Sequence, residues 1–157
     1  MNTEESLAIA SQILEHWAWQ TETTRPSPTR ISSLLSTVDD LVPIVVALRV
    51  KRLGWLSAIT GMDPGVEAGY LEVLYHFTAG AAIITLRVRV PRDNASVPAV
   101  SEIIPSAEVF ERELHEMFGV EVIGLRNPEK LYLPDDWPDG VYPMRKDFDP
   151  QVLDARG

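Results

Sequence analysis

The 157-residue sequence contains no cysteine. That removes disulfides, thiolate metal sites, iron–sulfur ligation and a cysteine nucleophile from the chemistry the chain can supply. Redox work involving it needs a cofactor held elsewhere. Basic residues are scarce: 14 Lys and Arg stand against 23 Asp and Glu, a net charge of −9. Phosphate backbones and anionic lipid both demand a basic face, which argues against nucleic acid or bare membrane as the partner. Long apolar runs are missing. A membrane-spanning helix needs about 20 apolar residues, whereas the longest stretch, Leu41 to Leu48, is interrupted by Pro43 and stops at Arg49. The opening Met1-Asn2-Thr3-Glu4-Glu5 lacks the basic start and apolar core of a secretory signal. The expectation is a cytosolic chain whose membrane association is carried by a partner.

Several chemical signatures are absent. There is no Gly-x-Ser-x-Gly elbow, no Gly-x-Gly-x-x-Gly and no Gly-x-x-x-x-Gly-Lys run. Histidine occurs only at 16, 76 and 115. What is present is ordinary for one folded domain: 45% hydrophobic and 24% charged residues.

Hydrophobic spacing predicts a helix over 3–20, with Thr3 as cap, Glu4 and Glu5 in the first turn, and Leu7, Ile9, Ile13, Leu14 and Trp17 on one face. Pro26 and Pro28 mark 21–28 as a linker. A short strand at 29–36 and a second helix at about 40–53, with Pro43 in its first turn and Gly54 as its stop, follow. Residues 55–60 read as a strand, and 69–78 with 81–91 as a hairpin. In the latter, Thr85, Arg87 and Arg89 alternate with Leu86, Val88 and Val90, the pattern of a strand with one wet face. Residues 92–106 read as a loop, 107–118 as a helix capped by Ser106 and closed by Gly119, and 120–123 as a short strand. Prolines at 128, 134, 138, 143 and 150 exclude long regular elements thereafter. The expected fold class is α+β: a roughly four-stranded mixed or antiparallel sheet, helices packed on one side, and an irregular Pro-rich C-terminal arm. The expected divisions are 1–28 (N-terminal helix and linker), 29–123 (core) and 124–157 (arm).

The densest polar cluster is Glu108, Glu111, Arg112, Glu113, His115 and Glu116. Glu111 and His115 are i,i+4 neighbours, a spacing that suits a metal or an acid–base pair. The metalloprotease pattern needs two histidines on one helix, and this helix has one. A solvated or partner-facing side is therefore the stronger reading, with a stand-alone metal-dependent enzyme on the Glu111/His115 face as the alternative. His76 lies within an apolar strand pattern and reads as a packed, hydrogen-bonded histidine. Residues 130–148 are irregular yet rich in Leu, Tyr, Trp, Met, Phe and Arg, types that disordered segments lack and interface cores favour. Such an arm either packs on its own domain or lies across another subunit.

Glu111-Arg112-Glu113-Leu114-His115-Glu116-Met117-Phe118-Gly119 resembles the signature helix of the 30 kDa subunit family of respiratory complex I, the NADH dehydrogenase of respiratory chains. That pattern reads Glu-Arg-Glu, two variable residues, an acid, two apolar residues and Gly. Val88-Arg89-Val90-Pro91-Arg92, Val97-Pro98-Ala99-Val100, Leu133-Pro134-Asp135-Asp136-Trp137 and Pro143-Met144-Arg145-Lys146-Asp147-Phe148 resemble further family segments, so the likeness runs from about 30 to 148. Where respiratory members carry a His followed by a basic residue, this chain has Leu125 and Glu129. Its tail around Trp137 is longer than theirs, and the chain ends nine residues after Phe148. These features look more like the equivalent subunit of energy-converting, membrane-bound [NiFe] hydrogenases.

The resemblance implies a cofactor-free accessory subunit in a peripheral arm on the cytoplasmic face of the membrane. Its partners would be a large catalytic subunit and a small iron–sulfur subunit. Iron–sulfur clusters and the [NiFe] or quinone site would lie on those partners. The corresponding 30 kDa-type subunit of an NADH:quinone oxidoreductase (complex I) is the alternative identity. On this reading no residue is catalytic and none binds metal. Arg112 and Arg145 are expected to pair bidentately with carboxylates, inside the chain or across an interface. Glu111 and Glu113 would meet basic groups or cap loops, and Trp137, Tyr142 and Met144 would anchor the arm. Asp135, Asp136 and Lys146 complete the expected partner-binding set.

Overall fold

The computed structural model describes residues 1–17 and 21–154. In chain order the elements are α1 (Thr3–Glu15), β1 (Thr21–Ser27), β2 (Arg30–Leu35), α2 (Leu41–Val50), β3 (Trp55–Met62), β4 (Tyr70–Ala79), β5 (Ala82–Pro91), β6 (Ser96–Pro98), α3 (Ala107–Phe118), β7 (Glu121–Ile123) and α4 (Gln151–Asp154).

The centre of the molecule follows from strict alternation in β4 and β5. Leu71, Val73, Tyr75 and Phe77 pair across the ladder with Val90, Val88, Leu86 and Ile84, and all eight are buried on one face. Each such side chain contributes about 1.5–3 kcal/mol by leaving water. The hairpin turns at Gly80 and Ala81, where Gly80 adopts φ +61°. The five-stranded sheet has the order β1-β2-β5-β4-β3. It is mixed: β2 runs parallel to β5, and the remaining pairs are antiparallel. β6 and β7 form a separate parallel pair.

Helices α1 and α3 pack on the inner face, α1 against β2 and β5 and α3 against β3, while α2 leans on α1. Leu7, Ala10, Ile13 and Leu14 of α1 and Leu41, Ile44, Val45 and Leu48 of α2 join the same buried cluster as the strands. Gly61 of β3 permits the closest approach: a Cβ there would lie 2.4 Å from the Phe118 ring of α3. Gly61→Ala is expected to force that ring aside and to destabilise the fold by about 1–3 kcal/mol, read as a lowered thermal midpoint.

The mixed α+β architecture with helices on one side agrees with the sequence, and several details differ. Residues 21–27 are a strand, not part of a linker. Pro26 is tolerated because β1 is an edge strand, where a missing N–H breaks no ladder on its open side. The sheet therefore has five strands rather than four. Residues 96–98, expected in a loop, form β6. The cap of α1 is Asn2, not Thr3: its side chain accepts from the Glu5 N–H while the Glu5 carboxylate accepts from the Asn2 N–H. Helix α1 ends at Glu15, and the predicted continuation over 18–20 lies outside the described residues. Ser106 precedes α3 without a side-chain capping bond, whereas Gly119 closes it at φ +68° as expected.

Candidate functional site

Helix α3 sorts its charges by side. Glu111 and Glu116 are buried, while Arg112, Glu113 and His115 are half-buried. The Glu111 Oε1 accepts from the Val100 N–H at 2.5 Å and the Ser101 N–H at 3.3 Å, fixing the loop before α3. Burial raises the pKa of Glu111 above the ordinary carboxylate value. Burial, then the nearby Glu111 charge, raises that of Tyr75. Both effects disfavour charge at this depth. His115 uses Nδ1 on the Val120 carbonyl at 3.0 Å. Glu111 and His115 thus serve two different loops, and among the described residues no cluster of three or more His, Asp or Glu is placed to hold a metal. His76 bonds through Nδ1 to the Thr85 hydroxyl at 3.0 Å, and burial lowers its pKa.

The irregular segment after β7 is bound to α3 by main-chain contacts. The Glu116 carboxylate accepts from the Leu131, Tyr132 and Leu133 N–H groups at 2.8–3.3 Å. Arg112 donates to the Glu129 carbonyl through Nε and Nη2, at 3.1 and 3.0 Å, and to the Lys130 carbonyl. Lys130 Nζ closes a loop by donating to the Asp135 and Trp137 carbonyls, and Trp137 Nε1 donates to the Val141 carbonyl at 2.8 Å. Arg145 Nε donates to the Phe118 carbonyl at 2.6 Å, and its guanidinium lies 4.9 Å from the Tyr142 ring centroid. Within the chain, Arg112 and Arg145 therefore meet carbonyls where carboxylates were expected. Phe118 ends α3, where a carbonyl lacks a helical partner, and Glu129 and Lys130 lie in irregular backbone; a guanidinium answers such carbonyls well.

A second fastening lies at the end of β3. Asp63 and Arg92 are buried together. Arg92 Nη1 donates to Asp63 Oδ1, and Arg92 Nη2 donates to Asp63 Oδ2 at 2.8 Å and to Asp147 Oδ1 at 2.7 Å. Asp63 also accepts from the N–H groups of Gly65 and Lys146 at 2.8 and 2.7 Å. The Arg92 guanidinium and these N–H groups hold the Asp63 carboxyl well below the usual carboxylate range. This ties β3, the end of β5 and the arm into one unit.

The expected partner-binding residues fall into two sets. Glu111, Arg112, Trp137, Tyr142 and Arg145 are buried or half-buried; Glu111 holds the loop before α3, and the other four hold the arm. Asp135, Asp136, Met144 and Lys146 are exposed along it, beside Tyr132, while Glu113 is half-buried on α3. Sequence reasoning named Glu116 only as a member of the polar cluster and gave no role to Asp63 or Arg92. Asp63 reads as an ordinary Asp-Pro-Gly turn residue, and no periodicity links it to Arg92. Glu116 carries a weak signal, as the family's acidic position on the helix.

Residues 34–152 match the family described as the respiratory-chain NADH dehydrogenase, 30 kDa subunit. Formate hydrogenlyase subunit 5 of Escherichia coli is 34% identical over 143 residues, covering 89% of this chain and 24% of that protein. The membrane-bound hydrogenase subunit beta of Pyrococcus furiosus is 38% identical over 87 residues, 54% of this chain and 50% of that one. The chain thus spans about a quarter to a half of these relatives' lengths. A chain of the membrane-bound sulfane sulfur reductase, an archaeal respiratory membrane complex, superposes with a TM-score of 0.76 at 29% identity, over 95% of this chain and 88% of that one. The family match begins at the end of β2 and takes in β3, β4, β5, α3 and the arm, and the chain belongs to the respiratory-chain NADH dehydrogenase 30 kDa subunit family.

Proposed function

We propose that this chain is a cofactor-free scaffold subunit in the peripheral arm of a membrane-bound, energy-converting hydrogenase-type complex related to complex I. It would dock on the large catalytic subunit and the small iron–sulfur subunit at the cytoplasmic face. One observation carries the reading. Arg112 and Glu116 of α3 are committed to main-chain partners of an ordered irregular arm, and Glu111 and His115 to the backbone of other loops, which supports a helix that builds a shaped surface rather than a reaction centre. Among the described residues no helix is long and apolar enough to cross a membrane, which suits attachment through partners. The hydrogenase-named relatives and the Leu125 and Glu129 positions favour a hydrogenase-type parent over an NADH:quinone oxidoreductase.

The test is purification of the tagged chain from detergent-solubilised native membranes, with identification of co-purifying subunits. A [NiFe]-type large subunit and hydrogen-dependent dye reduction are the expected result. NADH- or quinone-reacting partners would move the chain to the other parent, and a lone soluble monomer would defeat both. Arg145→Ala and Trp137→Ala are expected to lower complex yield about tenfold, the effect of roughly 1.4 kcal/mol, while far-ultraviolet circular dichroism of the isolated chain stays unchanged. Unaltered yield from both variants would count against the arm as a clamp.

A further inference from the structure

The helices lie on one face of the sheet, and the other face carries a different chemistry. On that outer face Glu72 is the one fully buried residue among the strand side chains. Its two oxygens accept from Arg87 Nε at 2.5 Å and Arg89 Nε at 3.2 Å. Both guanidiniums are therefore anchored through Nε. Their Nη ends have no hydrogen-bond partner among the described residues, and the Arg87 and Arg89 side chains remain 29% and 45% exposed. Arg89 is further steadied over the Tyr70 ring, 4.7 Å from its centroid. Arg30 adds a third cation on β2, beside Ile83 of β5. Across the sheet, on β3, Trp55 is 59% exposed and Met62 41%.

We infer that this helix-free sheet face is a docking surface for a neighbouring subunit that presents carboxylates to Arg87 and Arg89 and apolar side chains to Trp55 and Met62. The inference rests on the chain being a subunit of a larger complex. Charge complementarity selects the occupant. Strands β2 to β5 place three guanidiniums against one carboxylate on this face, in a chain whose net charge is −9. The two anchored guanidiniums are forks already oriented, so a bidentate carboxylate meets them with little ordering cost. Trp, Tyr, Met and Arg are the types that dominate interface cores. Strands β2, β3, β4 and β5 have 6, 8, 10 and 10 residues, which at about 3.4 Å per residue and about 4.8 Å between strands offer on the order of 550 Å², somewhat below the ~800 Å² per side of a specific interface. An anionic bilayer is the poorer occupant, since the chain as a whole is repelled by it.

The experiment places p-benzoylphenylalanine at position 55 or 62 in the full chain, with position 50 on α2 as the control, and irradiates the purified complex. The expected result is cross-linking from 55 and 62 to one identified subunit, at a segment rich in Asp and Glu, and none from 50. Arg89→Gln, which leaves Glu72 its contact to Arg87, is expected to reduce recovery of that subunit at least tenfold at a temperature where circular dichroism shows the isolated variant still folded. Arg89→Lys is expected to restore only part of the loss, because it lacks the fork. Cross-links from position 50 alone, cross-links to lipid, or full recovery with Arg89→Gln would overturn the inference while leaving the subunit reading intact. A wild-type chain that co-purifies with no other subunit would remove both.

Discussion

Asp63→Ala is expected to lower the stability of the isolated chain by about 3–5 kcal/mol, because it leaves the Arg92 guanidinium buried without its main counter-ion. For a domain of this size that is a fall in thermal midpoint of about 10 °C. Denaturant melts of both proteins check it. The apolar double variant Asp63→Leu with Arg92→Met is expected to be less harmful than Asp63→Ala alone, since it removes both charges together. The effect also carries a pH signature. The folded pKa of Asp63 is depressed, with Arg92 as the main cause. Its contribution is then fully present above the ordinary carboxylate value of about 4 and is lost as pH falls through the much lower folded value. The stability gap between wild type and Asp63→Asn is therefore expected to be widest near neutrality and to close in strong acid. A gap that widens on acidification would contradict this account.

Glu116→Ala is expected to free the arm while sparing the sheet. Three N–H groups, of Leu131, Tyr132 and Leu133, lose their charged acceptor at once. Hydrogen bonds to a charged group are each worth about 1.5–3 kcal/mol, and water reaching the half-exposed arm compensates part of that, so a loss of about 2–4 kcal/mol is expected. Hydrogen exchange should show those amides opening at least tenfold faster, with protease cuts appearing between 124 and 150. Amides of β4 and β5 should keep their protection. Glu116→Gln, which retains one acceptor oxygen, should fall between the two. Equal loss of protection in arm and sheet would show that the carboxylate supports the whole fold rather than the arm.

The hairpin of β4 and β5 was legible because its alternation is enforced by burial on one face, and α3 because Gly119 gives its end a physical stop. Strand β1 was not. Pro26 and five exposed residues look like solvated linker, and only pairing with β2, a tertiary fact, makes them a strand. The same limit applies to the site. Glu111 and Arg112 stood out in the densest polar cluster of the chain, and Arg145 in an irregular segment rich in apolar residues. Their partners did not, because they are main-chain groups of Val100, Glu129 and Phe118, and any residue type supplies those. Asp63 and Arg92 escaped for a related reason: each sits in a turn where polar residues are ordinary, and only the folded chain brings them together.

The Asp63–Arg92 fastening also orders events in time. Those two residues are 29 positions apart, whereas Asp147 lies 55 beyond Arg92 and Lys146 lies 83 beyond Asp63. Short loops close before long ones, and synthesis delivers the N-terminal part first. A chain emerging from the ribosome thus carries a finished socket well before the segment that fills it. Until then the ion pair stands open to water on the side the arm will cover, so the socket of Asp63 and Arg92 is expected to close last, after the sheet has formed.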